Sequence, residues 1–410
     1  MFRIRGRTLG ALLLLALIAE AGDEENLTLE QRVEKLEQGD EDARQEALED
    51  EADAIADEGI GLNMVIRKNN IAGIFQIFGD VGIRWDNPEL PNRSNAFFLS
   101  GSVDLFFRAR VGDHFNVLSE TVFASSVGTI SDSSHFDQER LWGAWAFSDL
   151  LQIKLGLEHG PISRWNNLFH HGRYLELTIN RPFLARFEGG SGILPMHNAG
   201  IEFRGSVQTK AGILDYVVFL SNGRGATPAG VQEFSDLNDD KAIDFGGGFR
   251  PTALSELWVG IVFRVEEVPP NAPSRPASLR QYIASLQIDY QGEKIEIMSE
   301  YAFVRDDDRV SNNQFEHHLG YIQIGVHLND QWTPYARFDI RAMGQGDPYY
   351  SPLNRDLDVW ELLFGVRFDF VANAAIKIEI GFGMRDERDT GGAVADRSYI
   401  RSGFQLAWVF

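Results

Sequence analysis

From Ile71 to Phe410 the chain alternates apolar and polar residues in strand-length segments, separated by clusters of Gly, Asn, Asp and Pro. Successive side chains of a β-strand point to opposite faces, so each such segment has one apolar face and one polar face. Sixteen segments can be counted, beginning near Ile71, Phe97, Phe115, Gln138, Leu151, Ala199, Gly212, Ile243, Ser255, Gln281, Lys294, His317, Trp332, Asp358, Ala375 and Ser398.

The parity within them is strict. In four segments one face reads Ile243, Phe245, Phe249; Leu257, Val259, Ile261, Phe263; Trp360, Leu362, Phe364, Val366, Phe368; and Ile376, Ile378, Ile380, Phe382. The opposite faces carry Asp244 and Arg250; Glu256 and Arg264; Glu361 and Arg367; and Lys377, Glu379 and Arg385. Asp80 and Arg84, Asp104, Arg108 and Arg110, Glu202 and Arg204, and Arg337, Asp339 and Arg341 keep to the polar parity of their own segments. A slip of one residue would exchange the faces, so register is strongly specified.

A soluble sandwich with its apolar faces inside would also alternate. Four features point away from it. Many segments reach ten or more residues, the length a tilted strand needs to cross a bilayer. Aromatics stand at segment ends, as Trp85, Phe97, Phe115, Phe147, Trp332, Trp360, Phe370 and Trp408 do, where interfacial girdles lie. Tight connections such as Gly112-Asp113-His114, Thr209-Lys210-Ala211 and Gln291-Gly292-Glu293 alternate with longer ones. An even number of strands closes a sheet with both termini on the short-turn rim. No later stretch has 18 consecutive apolar residues, so membrane helices are excluded after the first residues and a barrel is the remaining way to span. The expected fold is all-β, a 16-stranded antiparallel transmembrane β-barrel over residues 61–410, with apolar faces on outer-membrane lipid.

Residues 1–21 carry Arg3, Arg5 and Arg7, an apolar run from Leu9 to Ile18, and Ala19-Glu20-Ala21, the pattern of a secretory signal peptide. Residues 22–60 hold 16 acids against three bases, a net of −13 in a chain of net charge −22. Leu29, Val33 and Leu36, continued by Ala43 and Ala47, mark a short heptad helix. Two readings stay open for this periplasmic segment: a solvated acidic tether with possible cell-wall contact, or a self-associating coiled coil. The absence of cysteine removes disulfides, thiolate metal sites and a thiol nucleophile. Without a basic face, nucleic acid is not a partner. No cofactor is implied.

The chain ends Gln405-Leu406-Ala407-Trp408-Val409-Phe410, which resembles the final strand of bacterial outer-membrane proteins. Sixteen strands behind a heptad segment are similar in architecture to the trimeric porins, particularly the phosphate-selective porin type. The resemblance implies a bacterial outer-membrane porin, a homotrimer, and passive diffusion of small polar or anionic solutes. It also implies that the long connection 159–198, third on its rim, folds into the lumen and narrows it.

That connection carries Arg164, His170, His171, Arg173, Arg181 and Arg186 against Glu176 and Glu188, a net of +2 excluding His. Guanidinium groups stay charged, so a passage lined by them favours anions. Alternatively the arginines pair with Glu176, Glu188 and wall acids such as Glu120, Glu158 and Glu202 and hold the loop in place. The expected pore wall comprises Asp80, Arg84, Asp104, Arg108, Arg110, Glu120, Arg140, Glu202, Arg204, Arg264, Arg337, Asp339, Arg341, Arg367 and Arg385. Because it mixes both signs, a uniform phosphate-selective ladder is not expected.

Asp236, Asn238 and Asp240, and Asp306, Asp307 and Asp308, offer oxygens for a divalent cation, but solvated acidic loops explain them as well. His317 with His318 are adjacent, which puts their side chains on opposite faces of an extended strand and disfavours zinc ligation. Ser163 near His159, and Ser134 near His135, are the nominees for a hydrolase, without a G-x-S-x-G elbow; an enzyme is therefore not the expected function. A plugged barrel used as an anchor differs from a porin only in its lumen. Gly246, Gly248, Gly260, Gly381 and Gly383 on the polar faces leave space there, for water or for the long loop.

Overall fold

The computed structural model describes residues 64–68, 71–87, 96–127, 134–169, 172–188, 191–230, 234–236, 238–271, 274–389 and 391–410. The expected signal peptide and heptad helix lie outside these residues, as do His170 and His171.

Long alternating segments joined by tight turns on one rim pair with their sequence neighbours, and the last returns to the first. A short strand β1 (Met64–Lys68), absent from the sequence-based count, precedes β2 (Ile71–Asn87), β3 (Ala96–Val111), β4 (Phe115–Val127) and β5 (Ser134–Ser148). There follow β6 (Leu151–His159), a short helix α1 (Arg164–Phe169), β7 (His197–Gln208), β8 (Gly212–Ser221), β9 (Ala242–Pro251) and β10 (Leu257–Val268). The sheet continues with β11 (Leu279–Gln291), β12 (Ile295–Asp308), β13 (Gln314–Val326), β14 (Trp332–Ala342), β15 (Val359–Val371), β16 (Ala374–Arg388) and β17 (Val394–Val409).

Each of β2 to β17 pairs antiparallel with the next, and β17 returns to β2 from Val409 opposite Phe78 to Ile400 opposite Asn87. Sixteen strands therefore close without an edge, which satisfies every ladder position as a bilayer requires. Below that seam β1 pairs with the first residues of β2, Lys68 opposite Ile71, and Phe410 exchanges both backbone hydrogen bonds with Ile77 at 2.8 Å. The N–H and C=O groups left open at the start of β2 are thus used by β1 and by the chain terminus.

The parity settles inside from outside. Ile261, Phe263, Leu286, Ile322, Ile340, Leu362, Phe364, Ile378, Phe382 and Phe404 are exposed on the outer wall. Asp244, Arg264, Asp339, Glu361, Lys377 and Glu379 are buried on the inner one. A sandwich would have buried the first set.

One rim carries the tight connections 112–114, 149–150 and 372–373; on the other, connections reach from 309–313 to 160–196. Gly112, at φ 61°, supplies the left-handed residue that the first tight turn needs.

Two details depart from simple alternation. A register shift between Glu120 and Thr121 inserts a bulge in β5, and Gln138 Nε2 donates to the carbonyls of Glu120 and Arg140 at 2.6 and 2.7 Å. Moreover, the inner-face glycines do not stand beside open space. A Cβ on Gly248 or Gly260 would meet the Trp258 ring at 2.2 or 2.1 Å, and one on Gly383 the Tyr399 ring at 2.6 Å. These glycines seat rings flat against the wall.

Candidate functional site

The segment between β6 and β7 is buried against inner-face residues of β10 to β16. Its apolar side chains Trp165, Leu184, Ile193 and Leu194 form one core with Val262, Ile283, Met298, Val304, Leu319 and Tyr321 of the strands and Tyr349 and Tyr350 of the 343–358 connection. The inner positions that the segment covers therefore include apolar residues as well as polar ones.

Polar wall residues fasten the same segment. Glu300 accepts the backbone N–H of Arg164 and of Trp165, both at 2.8 Å, and the hydroxyls of Ser163 and Tyr321. It therefore satisfies N–H groups that the start of α1 leaves open. Arg164 pairs with Asp289 at 3.0 Å. Lys377 donates to the Arg173 carbonyl at 2.5 Å, and Arg367 donates to the Tyr174 carbonyl at 2.5 Å. Glu379 accepts Ile179 N–H at 2.9 Å, and Arg337 donates to Thr178 Oγ1 at 2.8 Å. Asp339 accepts Phe183 N–H at 3.1 Å. These fastenings come from β11 to β16.

Of the expected loop cations, Arg173 bonds Glu176 at 3.0 Å, and Arg181 lies 3.8 Å from the same carboxylate and stacks over Phe187 at 3.8 Å. Burial pushes Arg181 down to about 10 despite Glu176. Arg186 reaches Ser191 Oγ and stacks over Phe183 at 4.4 Å, without a carboxylate among the described residues. Burial, reinforced by Arg401, lowers it too. The pairing expected for the loop arginines is thus met at Glu176 and, for Arg164, at a wall acid, Asp289, but not at Glu188. Glu188 instead accepts Met196 N–H at 2.5 Å and faces the His197 ring at 3.1 Å. Burial alone would raise Glu188, but His197 and the backbone donors hold it below the ordinary carboxylate range.

On the wall, Glu120 bonds Arg140 at 2.5 Å, and Glu202 bonds Arg204 at 2.6 Å and Lys154 at 3.3 Å. Asp80 accepts Ser102 Oγ and Gln405 Nε2. The oxygens of buried Asp104 have no hydrogen-bond partner among the described residues. Arg264 joins Asp244 at 2.8 Å and Glu266 at 2.9 Å; Arg337 joins Asp339 at 2.7 Å and Arg367 joins Asp369 at 2.7 Å. Arg385 bonds Glu387 at 2.9 Å, and Arg110 caps the tight turn through the Gly112 and Asp113 carbonyls. Arg84 and Arg108 make no ion pair or hydrogen bond among the described residues, and Arg341 reaches only the Leu357 carbonyl. Arg173 and Arg401 stand near Arg84, Arg401 near Arg186, and Arg186 and Arg355 near Arg341, with the carboxylates of Asp80, Glu379, Glu361, Asp339 and Asp358 in the same neighbourhood. A file of guanidinium groups therefore runs along this part of the interior, broken by Glu361 on Arg401 and Glu176 on Arg173.

Near the tight-turn rim, two cavities flank α1. One of about 750 Å³ is lined from β2 to β11, and one of about 1190 Å³ from β9 to β15; Arg164, Leu168, Phe169, Leu175 and Trp258 line both.

Asp306, expected among solvated loop acids, is fully buried and stands with His317 and Asp347. The three offer ligand atoms within 4.8 Å of one another. However, Gly344 N–H donates to His317 Nδ1 at 3.1 Å, which leaves the ring proton on Nε2, 3.0 Å from Asp347. The cluster therefore reads as a hydrogen-bonded fastening of the 343–358 connection. Asp236 bonds Lys241. Ser163 Oγ donates to Glu300, not to a histidine.

Sequence reasoning missed Asp289 and Glu300, and it placed Lys377 and Glu379 on the inner face without assigning them to the site. The available signal was inner parity on strands far from the loop in sequence, which names candidates without saying what they touch.

No family model and no curated protein matches the chain. Among solved structures, an anion-selective porin from Comamonas acidovorans aligns at TM-score 0.58 and 9% identity over 83% of this chain and 100% of that one. The outer membrane channel DcaP of Acinetobacter baumannii aligns at TM-score 0.56 and 11% identity over 86% and 100%. A trimer form of OmpT, an outer membrane protein of Vibrio cholerae, aligns at TM-score 0.52 and 11% identity over 82% and 99%. With sixteen strands closed on themselves, apolar outside and charged within, the chain has the porin-type β-barrel fold.

Proposed function

We propose that the protein is an outer-membrane channel for passive diffusion of small hydrophilic solutes, with a preference for anions, working as a homotrimer. The observation that carries this reading is the inverted distribution of side chains: a closed cylinder exposes hydrocarbon and buries charge, which suits lipid outside and a polar conduit inside. The segment 159–198, with Arg164, Arg173, Glu176, Arg181, Arg186 and Glu188, is the constriction in this reading. Its fastening to β11–β16 favours a passage along the wall of β2 to β5, which bears Asp80, Arg84, Asp104, Arg108, Glu120 and Arg140. The preference for anions rests on Arg84, Arg186 and Arg341, none of which forms an ion pair with a carboxylate among the described residues. The similar porin and channel structures support the reading at the level of fold.

One observation favours a plugged anchor instead, namely the apolar core that the loop builds inside the barrel. Reconstitution into a planar bilayer under a salt gradient separates the two. Stepwise conductance with an anion-selective reversal potential supports the proposal. Folded protein that leaves the bilayer closed rejects the channel, and a cation-selective potential rejects the role given to the arginines.

A further inference from the structure

The cavity of about 750 Å³ has a lining that hydrophilic solutes alone do not call for. Leu168 is the clearest case. On the six-residue helix α1, Trp165 faces the buried core, while Leu168 is 39% exposed and lines the cavity. Phe106 and Trp142 of the wall, both partly exposed, line the same cavity. Apolar surface left in contact with water is surface that an apolar ligand can cover with a gain in free energy.

The cations of the cavity are placed beside these rings. Lys154 Nζ lies 4.5 Å from the Trp142 ring centre and the Arg140 guanidinium 5.6 Å from that of Phe106. Both are already engaged by carboxylates, Glu158 and Glu120. Two further cations retain capacity: Arg108, without an ion pair or hydrogen bond among the described residues, and Arg204, whose side chain is 45% exposed beside Glu202. The cavity thus offers apolar and aromatic surface together with guanidinium donors suited to a carboxylate.

We infer that this cavity binds monocarboxylates with an aromatic or branched aliphatic body, the body against Leu168, Phe106 and Trp142 and the carboxylate on Arg108 or Arg204. The inference deepens the channel reading and rests on it for the route by which the acid arrives. Neutral sugars would use the rings but not Arg108, and inorganic anions would use Arg108 but not Leu168. A benzene ring that covers about 80 Å² of surface gains about thirtyfold in affinity over acetate, the equivalent of about 2 kcal/mol.

Benzoate and acetate are titrated against the full-length protein in detergent by calorimetry and, in parallel, against its chloride current in bilayers. Benzoate binding at least tenfold tighter than acetate, reduced tenfold or more in Leu168→Ser and in the double variant Arg108→Gln/Arg204→Gln, supports the site. Leu168→Ala replaces Leu168→Ser if the latter does not refold. Equal binding of the two acids, or benzoate binding that both variants leave unchanged, overturns it. A conducting protein without benzoate preference retains the channel and loses the site. A protein that binds benzoate but does not conduct retains the site and loses the channel.

Discussion

Glu300→Ala tests whether the wall holds the long connection in place. The native carboxylate collects four donors: two backbone N–H groups at 2.8 Å, the Tyr321 hydroxyl at 2.8 Å and the Ser163 hydroxyl at 3.3 Å. Hydrogen bonds to a charged group contribute roughly 1.5–3 kcal/mol each, but much of that offsets the cost of burying the carboxylate. Removing the acceptor leaves neutral donors without a partner, at about 1–3 kcal/mol for each one that stays buried. At about 4 kcal/mol in all, the anchored state of α1 loses roughly three decades against its detached state. The barrel ladder is untouched, so the band shift between heated and unheated samples on gels should persist. Proteolysis within 160–169, by contrast, should accelerate by orders of magnitude, and channel current should become noisier. In Glu300→Gln one oxygen remains for one N–H group while the amide donor faces another, so an intermediate rate is expected. Protection in Glu300→Ala equal to that of the unaltered protein would refute the anchoring argument.

Other consequences are separable from that one. Arg84→Glu and Arg186→Glu each reverse a charge that forms no ion pair among the described residues, so the bilayer reversal potential should move toward cation selectivity, more so in the double variant. Arg264→Ala strands Asp244 and Glu266 in a fully buried network and should cost about 3–5 kcal/mol, read as a lower unfolding temperature on heated gels; Arg341→Ala, bonded only to a carbonyl, should shift it little. In the 343–358 connection, burial alone would raise Asp356, but Ser351, Gly346 N–H and Arg388 outweigh it and hold it below its ordinary value. A carboxyl lowered by folding stabilises fully above its unfolded value of about 4, and that contribution disappears as pH falls through the lower folded value. Proteolysis of 343–358 should therefore rise below about pH 4 and become less pH-dependent in Asp356→Asn.

Much of the architecture was legible because a strand has a period of two and a bilayer tolerates only closed sheets. Strand starts fell within a few residues of expectation at Ile71, Phe115, Leu151, Gly212 and Trp332. They drifted at Ser134, where the bulge interrupts alternation, and at Val394, where the strand runs on beyond its apolar part. Strand β1 carries no such pattern across its five residues and was not anticipated.

Alternation by itself determined which side chains face lipid and which face inward, since a register slip would put charge into hydrocarbon. It could not determine partners, because inward residues of sixteen strands meet across a lumen whose geometry exists only after closure. Arg164 could have taken Glu176, twelve residues away, yet it bonds Asp289, 125 residues away, because α1 is held against β11 and β12. Only the closed barrel brings Glu300 to the start of that helix, lays Trp258 over Gly248 and Gly260, and leaves Arg84, Arg186 and Arg341 without an ion pair among the described residues. Facing is a local property of the backbone, and pairing is a property of the enclosure.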